Sequence, residues 1–176
     1  MEIRPAAPAD IPEIQAIYAH HVLNGTGTFE EMPPSVEEMA GRFAAFTAAG
    51  AIWLVAGDAT GVLGYAYAAR YHSRAAYRFT AEDSVYIRDD RRGTGVGQAL
   101  LAPLIAAAAE AGFRQMLAVI GDAANAGSIA LHRRQGFAEA GRLHAVGYKF
   151  GRWRDVVLMQ RPLGQGDLGQ GDAAAP

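Results

Sequence analysis

The sequence predicts an α/β protein in which a mixed central sheet is flanked by helices. Three observations lead there. Short β-branched and aromatic runs interleave with segments whose apolar residues recur at helical spacing. Their order is strand, two helices, three antiparallel-type strands, helix, strand, helix, two strands, which calls for helices on the faces of one sheet. The 176 residues and 51% hydrophobic content suit one domain with an ample core.

Each element has a local reason. Glu2-Ile3-Arg4 is a short strand closed by Pro5, and Asp10 is placed to N-cap a helix with the apolar face Ile11, Ile14, Ile17, Tyr18 and Val22. Asn24-Gly25-Thr26-Gly27 ends that helix. Ser35-Val36-Glu37-Glu38 is a capping box that opens a second helix reaching Ala48. Ala51–Ala56 and Val62–Arg70 are apolar and aromatic runs joined by Gly57-Asp58-Ala59-Thr60-Gly61, a hairpin pattern. A polar connection, Tyr71–Phe79, leads to a central strand over Thr80–Arg88. A glycine-rich loop and a helix to Ala111 follow, with Gly112 as its stop. Met116–Ile120 is a buried strand and Asn125–Gln135 a helix ended by Gly136. Strands around Ala138–Leu143 and Val156–Arg161 complete the domain, residues 1–163. Residues 164–176, with GQGDLGQGDAAAP, form a low-complexity tail that cannot bury a core and is expected to be disordered.

Composition removes several functional classes. A net charge of −2 makes no electrostatic case for nucleic acid or an anionic membrane. With no cysteine there is no disulfide, thiolate metal site or acyl-cysteine intermediate. The N-terminal segment lacks the pattern of a secretion signal, and Ala99–Ala111 is too short for a membrane span, so a cytoplasmic protein is expected. His20-His21 lacks the spacing and third ligand of a metal site, so no metal is expected. Gly127-Ser128 is not a hydrolase elbow.

The stretch Arg91-Arg92-Gly93-Thr94-Gly95-Val96-Gly97-Gln98 carries the most chemistry. It follows a strand and opens a helix, so glycines let the backbone approach a ligand while the helix N-terminus presents unpaired N–H groups. Such a turn binds anions, diphosphate above all. Its spacing is not the dinucleotide fingerprint, and the chain holds no Gly-Lys pair for an NTPase loop. The pattern Arg92-Gly93-Thr94-Gly95-Val96-Gly97 resembles the pyrophosphate loop of the GNAT superfamily of N-acetyltransferases, which bind acetyl-CoA. A second segment, Asn125-Ala126-Gly127-Ser128-Ile129-Ala130-Leu131-His132-Arg133-Arg134-Gln135-Gly136-Phe137, is similar to the family's N-x-x-S/A-x-x-L-Y/H-x-x-x-G-F. Two further stretches narrow the subgroup. Phe79–Ile87 and Gly147–Asp155 resemble the T-V-E-x-S-V-Y-V and G-Y-K-x-G-x-W-x-D segments of phosphinothricin and methionine sulfoximine/sulfone acetyltransferases.

The resemblance implies the GNAT fold, acetyl-CoA as co-substrate, a homodimer, and transfer of acetyl to the α-amine of a small amino acid analogue. It implies cofactor contacts from Arg92, Gly93, Thr94, Gly95, Val96, Gly97 and Gln98. It also implies pantetheine contacts from the backbone of Val85, Tyr86 and Ile87, and from Asn125 and Ser128. Glu82 is the candidate base, because a carboxylate can strip the proton that blocks an α-amine's lone pair. Asp83 competes for that part, but strand alternation lets only one of the two face the cleft. His132 stands where many family members have a tyrosine and is the candidate donor to the departing thiolate. Arg74, Tyr77 and Arg78 are candidates for holding the substrate's anionic group, and Phe29 and Glu30 align with the substrate loop, Glu30 toward the amine. His72 replaces an arginine often found in the family's loop, which leaves the preferred substrate open. Two alternatives stand: a GNAT enzyme for a polyamine, aminoglycoside or protein N-terminus, or a non-catalytic acetyl-CoA sensor.

Overall fold

A computed structural model describes residues 1–164 and 166. The elements run in chain order as β1 (Glu2–Pro5), α1 (Ile11–Asn24), α2 (Val36–Ala48), β2 (Ile52–Asp58), β3 (Gly61–Arg70), β4 (Thr80–Ile87), α3 (Val96–Glu110), β5 (Gln115–Gly121), α4 (Ala126–Arg134), β6 (Ala138–Lys149) and β7 (Arg152–Pro162). The expected tail lies outside the described residues apart from Gly164 and Gly166. No helix among the described residues is long and apolar enough to cross a membrane.

The strands make one seven-stranded sheet in the order β1-β2-β3-β4-β5-β7-β6. Every neighbouring pair is antiparallel except β4 and β5, which run parallel. Strand alternation divides the core in two. Trp53, Val55 and Tyr65 face one side, where they pack with Ile11, Ile14, Ile17, Tyr18 and Val22 of α1 and Met39 of α2. Leu54, Ala56, Ala66, Ala68 and Ala81 face the other, under Val96, Leu100, Leu101, Leu104 and Ile105 of α3. Ile129 and Leu131 of α4 join that second layer. Leu100, Leu101 and Leu104 are fully buried, so truncating any one to alanine costs about 2–5 kcal/mol.

Two sequence expectations need correction. Asp10 is buried, and its carboxylate does not cap α1. It takes both nitrogens of Arg4, at 2.8 and 2.7 Å, and the Ala7 N–H at 2.8 Å, closing the turn that precedes the helix. Those bonds hold its pKa below the usual carboxylate range, the Arg4 bond most of all. The last two strands are much longer than expected, since 144–149 and 152–155 extend them into a hairpin in which residues 147–149 pair with 152–154. A register shift between Leu143 and Gly147, with Ala145 at φ 53°, interrupts the alternation that would have betrayed the strand. Tyr148 and Trp153 on that hairpin are 55% and 68% exposed.

Candidate active site

The sheet opens at its centre. β4 pairs with β5 only from Thr80↔Gln115 to Asp83↔Ala118, although β4 runs on to Ile87 and β5 to Gly121. The Arg88 N–H bonds back to Leu63 O beside β3, so alternation along β4 turns the backbone groups of Val85 and Ile87 away from β3 and into the opening. Tyr86 is different. Its backbone groups turn toward β3, and its ring is stacked on Tyr65 and edge-on to Tyr18. The expected pantetheine edge therefore shrinks from three residues to two. The Ile87 carbonyl already meets His21 Nε2 at 2.8 Å.

β4 leads through Arg88–Arg91 into the glycine loop. Gly93 and Gly95 have φ of 74° and 89°, values that side-chain-bearing residues avoid, and Gly95 is the N-cap of α3. No side chain caps that helix, so its first N–H groups are open to an anion. Val96 buries its side chain in the core, leaving only its N–H for a ligand, while Gln98 is exposed on the first turn. Arg92 is 64% exposed at its side chain and reaches Asp89 at 3.4 Å. Thr94 donates its hydroxyl to Arg91 O at 2.7 Å, which braces the loop. Gly97 lets the helix approach α4, since a methyl there would lie 3.1 Å from Leu131.

Opposite stands α4. Asn125 caps it by accepting the Ser128 N–H at 3.2 Å, so both expected pantetheine contacts sit at one helix start. An unpaired strand edge, an open helix N-terminus and this cap line a slot suited to an amide-rich arm ending in diphosphate.

The two carboxylates of β4 part as alternation requires. Asp83 faces the α3–α4 layer, where it is buried and lies 2.9 Å from His132 Nε2. Glu82 faces the α1–α2 layer with Ser84 and Tyr86, diagonal to Tyr67 of β3. Its carboxylate makes no hydrogen bond among the described residues. Burial raises its pKa, and the neighbouring Asp83 charge adds to the rise. His132 is 3% exposed, with Nδ1 2.8 Å from Ser128 O. The expected thiolate donor thus has both nitrogens engaged inside the protein.

The α1–α2 loop covers the same region. Glu30 is fully occupied: Arg42 Nη1 and Nη2 donate to its two oxygens at 2.7 and 3.3 Å, and Tyr18 Oη donates at 3.0 Å. Tyr18 also meets Thr28 Oγ1 at 3.0 Å, and burial pushes its pKa up to about 12. Phe29 is seated against Gly147 of β6 and Gly121 of β5; a methyl on Gly147 would collide with its ring. Lys149 is buried and donates Nζ to Thr28 O at 2.8 Å, and its pKa is lowered by burial. Tyr18, Arg42, Gly121, Gly147 and Lys149 were absent from the sequence candidates. Only Gly147 and Lys149 carried a signal, their place in the late G-Y-K motif.

Arg74, Tyr77 and Arg78 lie on the exposed connection before β4. Tyr77 packs with Tyr71 and His72. Arg78 lies 4.5 Å over the Phe79 ring and donates to Ala75 O at 3.2 Å. The Arg74 side chain has no partner among the described residues.

Residues 3–158 match the acetyltransferase (GNAT) domain family. The chain belongs to that family. It is a GNAT acetyl-CoA-dependent N-acetyltransferase. Among its relatives, phosphinothricin N-acetyltransferase of Alcaligenes faecalis is 53% identical over 94% of this chain and 84% of its own length. The L-methionine sulfoximine/L-methionine sulfone acetyltransferase of Pseudomonas paraeruginosa is 45% identical over 92% of this chain and 94% of its own. A crystal structure of a GNAT phosphinothricin acetyltransferase from Sinorhizobium meliloti, in complex with acetyl-CoA, superposes with a TM-score of 0.91 at 51% identity. The match covers 94% of this GNAT chain and 89% of the other.

Proposed function

We propose that the enzyme acetylates the α-amine of a small amino acid analogue of the phosphinothricin or methionine sulfoximine/sulfone type, by direct transfer. The observation that carries it is Glu82, a half-buried carboxylate on β4 with no partner among the described residues and a raised pKa, beside the proposed cofactor slot. An α-amine has a pKa of about 7.7–8.0, so much of it is protonated and unreactive near neutral pH. Glu82 takes that proton, directly or through a water, and its raised pKa brings it closer to the amine's. Acetyl-CoA supplies the activated acetyl group as a thioester. The amine nitrogen forms the C–N bond, the C–S bond breaks, and CoA leaves as a thiolate that takes up the proton the new amide sheds, directly or through water. Val85 and Ile87 hold the arm along β4, and the Ile87 N–H polarises the thioester oxygen. Arg74, whose guanidinium has no partner among the described residues, and Arg78 and Tyr77 beside it are proposed to take the acceptor's anionic group. Glu30 and Phe29 hold the loop over the acceptor, and the names of the relatives support this substrate class.

The same reading makes the enzyme a cytoplasmic homodimer. Acetyl-CoA is available in the cytoplasm, and Leu143, Val146, Tyr148, Phe150 and Trp153 expose a run of large apolar side chains along one hairpin.

Acetyl-CoA-dependent thiol release across a panel tests the substrate. The panel holds phosphinothricin, methionine sulfoximine, methionine sulfone, spermidine and a peptide with a free N-terminus. Saturable release with the first three is expected. Release confined to spermidine or the peptide would replace the acceptor, and tight acetyl-CoA binding with no release from any would favour a sensor.

A further inference from the structure

His132 is a buried titratable group that the transfer leaves without a task. Its ring is edge-on to Phe137, with centres 5.1 Å apart. Nδ1 lies 2.8 Å from the Ser128 carbonyl, which can only accept, so Nδ1 carries a proton. The Ser128 hydroxyl, at 3.3 Å, is the longer contact. Nε2 lies 2.9 Å from Asp83 Oδ2 and donates there when the carboxylate is ionised. A ring with both nitrogens protonated is a cation, and a cation is what a buried carboxylate with one contact requires. The Asp83 side chain is fully buried, and its other oxygen, Oδ1, meets no partner among the described residues.

Position gives the pair its meaning. Asp83 is the last residue of β4 to pair with β5, at the point where the sheet begins to open. His132 stands on α4, one turn after Ser128 and two after the Asn125 cap. The ion pair therefore spans from one wall of the slot to the other.

We infer that Asp83 is a positioning residue: it locks His132 as a doubly protonated ring and thereby sets the separation of β4 and α4 around the pantetheine arm. The inference rests on the acetyl-CoA slot described above and not on the identity of the acceptor. It turns His132 from a proton donor into a strut, because neither nitrogen is left for a departing thiolate. The Asp83 bond and charge raise the imidazole's pKa against the lowering effect of burial. Asp83 is the titratable group in contact with the ring among the described residues. Glu82 faces the other side of the sheet, and Arg133 and Arg134 on α4 are exposed.

The cofactor-free protein, labelled with nitrogen-15 at histidine, gives the direct test by NMR. At a pH one unit above the ordinary histidine value of about 6.5, His132 is expected to show two protonated ring nitrogens. A singly protonated ring would overturn the inference. In Asp83→Asn the ring is expected to titrate in the ordinary range, and acetyl-CoA affinity, measured by calorimetry, to fall several-fold as the pH rises through it. The amine KM should change little. Unaltered acetyl-CoA affinity at every pH would also overturn the strut. If Asp83→Asn does not fold, the wild-type ring spectrum decides alone. A panel in which no amine is acetylated would remove the substrate reading and leave both of these measurements standing.

Discussion

Burial and the charge of Asp83 raise the Glu82 carboxyl above its usual range, and this has opposite consequences for catalysis and for stability. As a base it must be ionised, so turnover should rise with pH through that elevated value, and Glu82→Gln should lower kcat on the order of 10²–10⁴-fold while acetyl-CoA affinity stays intact. For stability, a folded pKa above the unfolded one means that ionisation works against the fold. The penalty is absent below the unfolded value of about 4.3 and complete above the folded one. Glu82→Gln should therefore melt at a higher temperature than wild type at neutral pH, and the gap should close in acid. An equal or lower melting temperature at neutral pH would show that Glu82 is stabilised by contacts the fold keeps. Glu82 was legible in the sequence because it interrupts an apolar run and alternation separates it from Asp83. The Asp83–His132 pair was not, since its members stand 49 positions apart in the chain and either alone looks like an ordinary charged side chain. Nor was the seat of Phe29, which depends on what two distant glycines lack.

Within the elements, α3 carries an apparent defect. Pro103 stands in its interior, on the exposed side, while Leu100, Leu101 and Leu104 around it are fully buried. Proline removes the N–H that would bond Ala99 O and crowds that carbonyl. Burial of the leucines outweighs the cost, so the helix continues through it. Pro103→Ala should then stabilise the fold by roughly 1–3 kcal/mol, read as a rise in denaturant midpoint at unchanged slope. The helices were legible almost to the residue, because Ile11, Ile14, Ile17, Tyr18 and Val22 keep one buried face and Ser35 and Glu38 form the capping box as expected. β6 and β7 were not. Most of β6 is exposed on both faces, so there is no inside–outside alternation to read, and a bulge breaks what remains.

For the molecule as a whole, the proposed dimer makes the hairpin a decisive place to intervene. Trp153, 68% exposed, is central to the apolar run, and Trp153→Glu should yield a monomer by analytical ultracentrifugation where wild type sediments as a dimer. A wild-type monomer would remove the homodimer from the reading. The sheet itself has a further consequence. β3 and β4 share register from Gly64↔Ile87 to Arg70↔Ala81, and β5 and β7 from Gln115↔Pro162 to Gly121↔Val156, but β4 and β5 meet over only Thr80–Asp83. The enzyme is thus two antiparallel leaves riveted along a short parallel seam. Pulled from its ends, it would tear there first, and acetyl-CoA, bound as proposed in the unriveted part, would act as the missing length of weld.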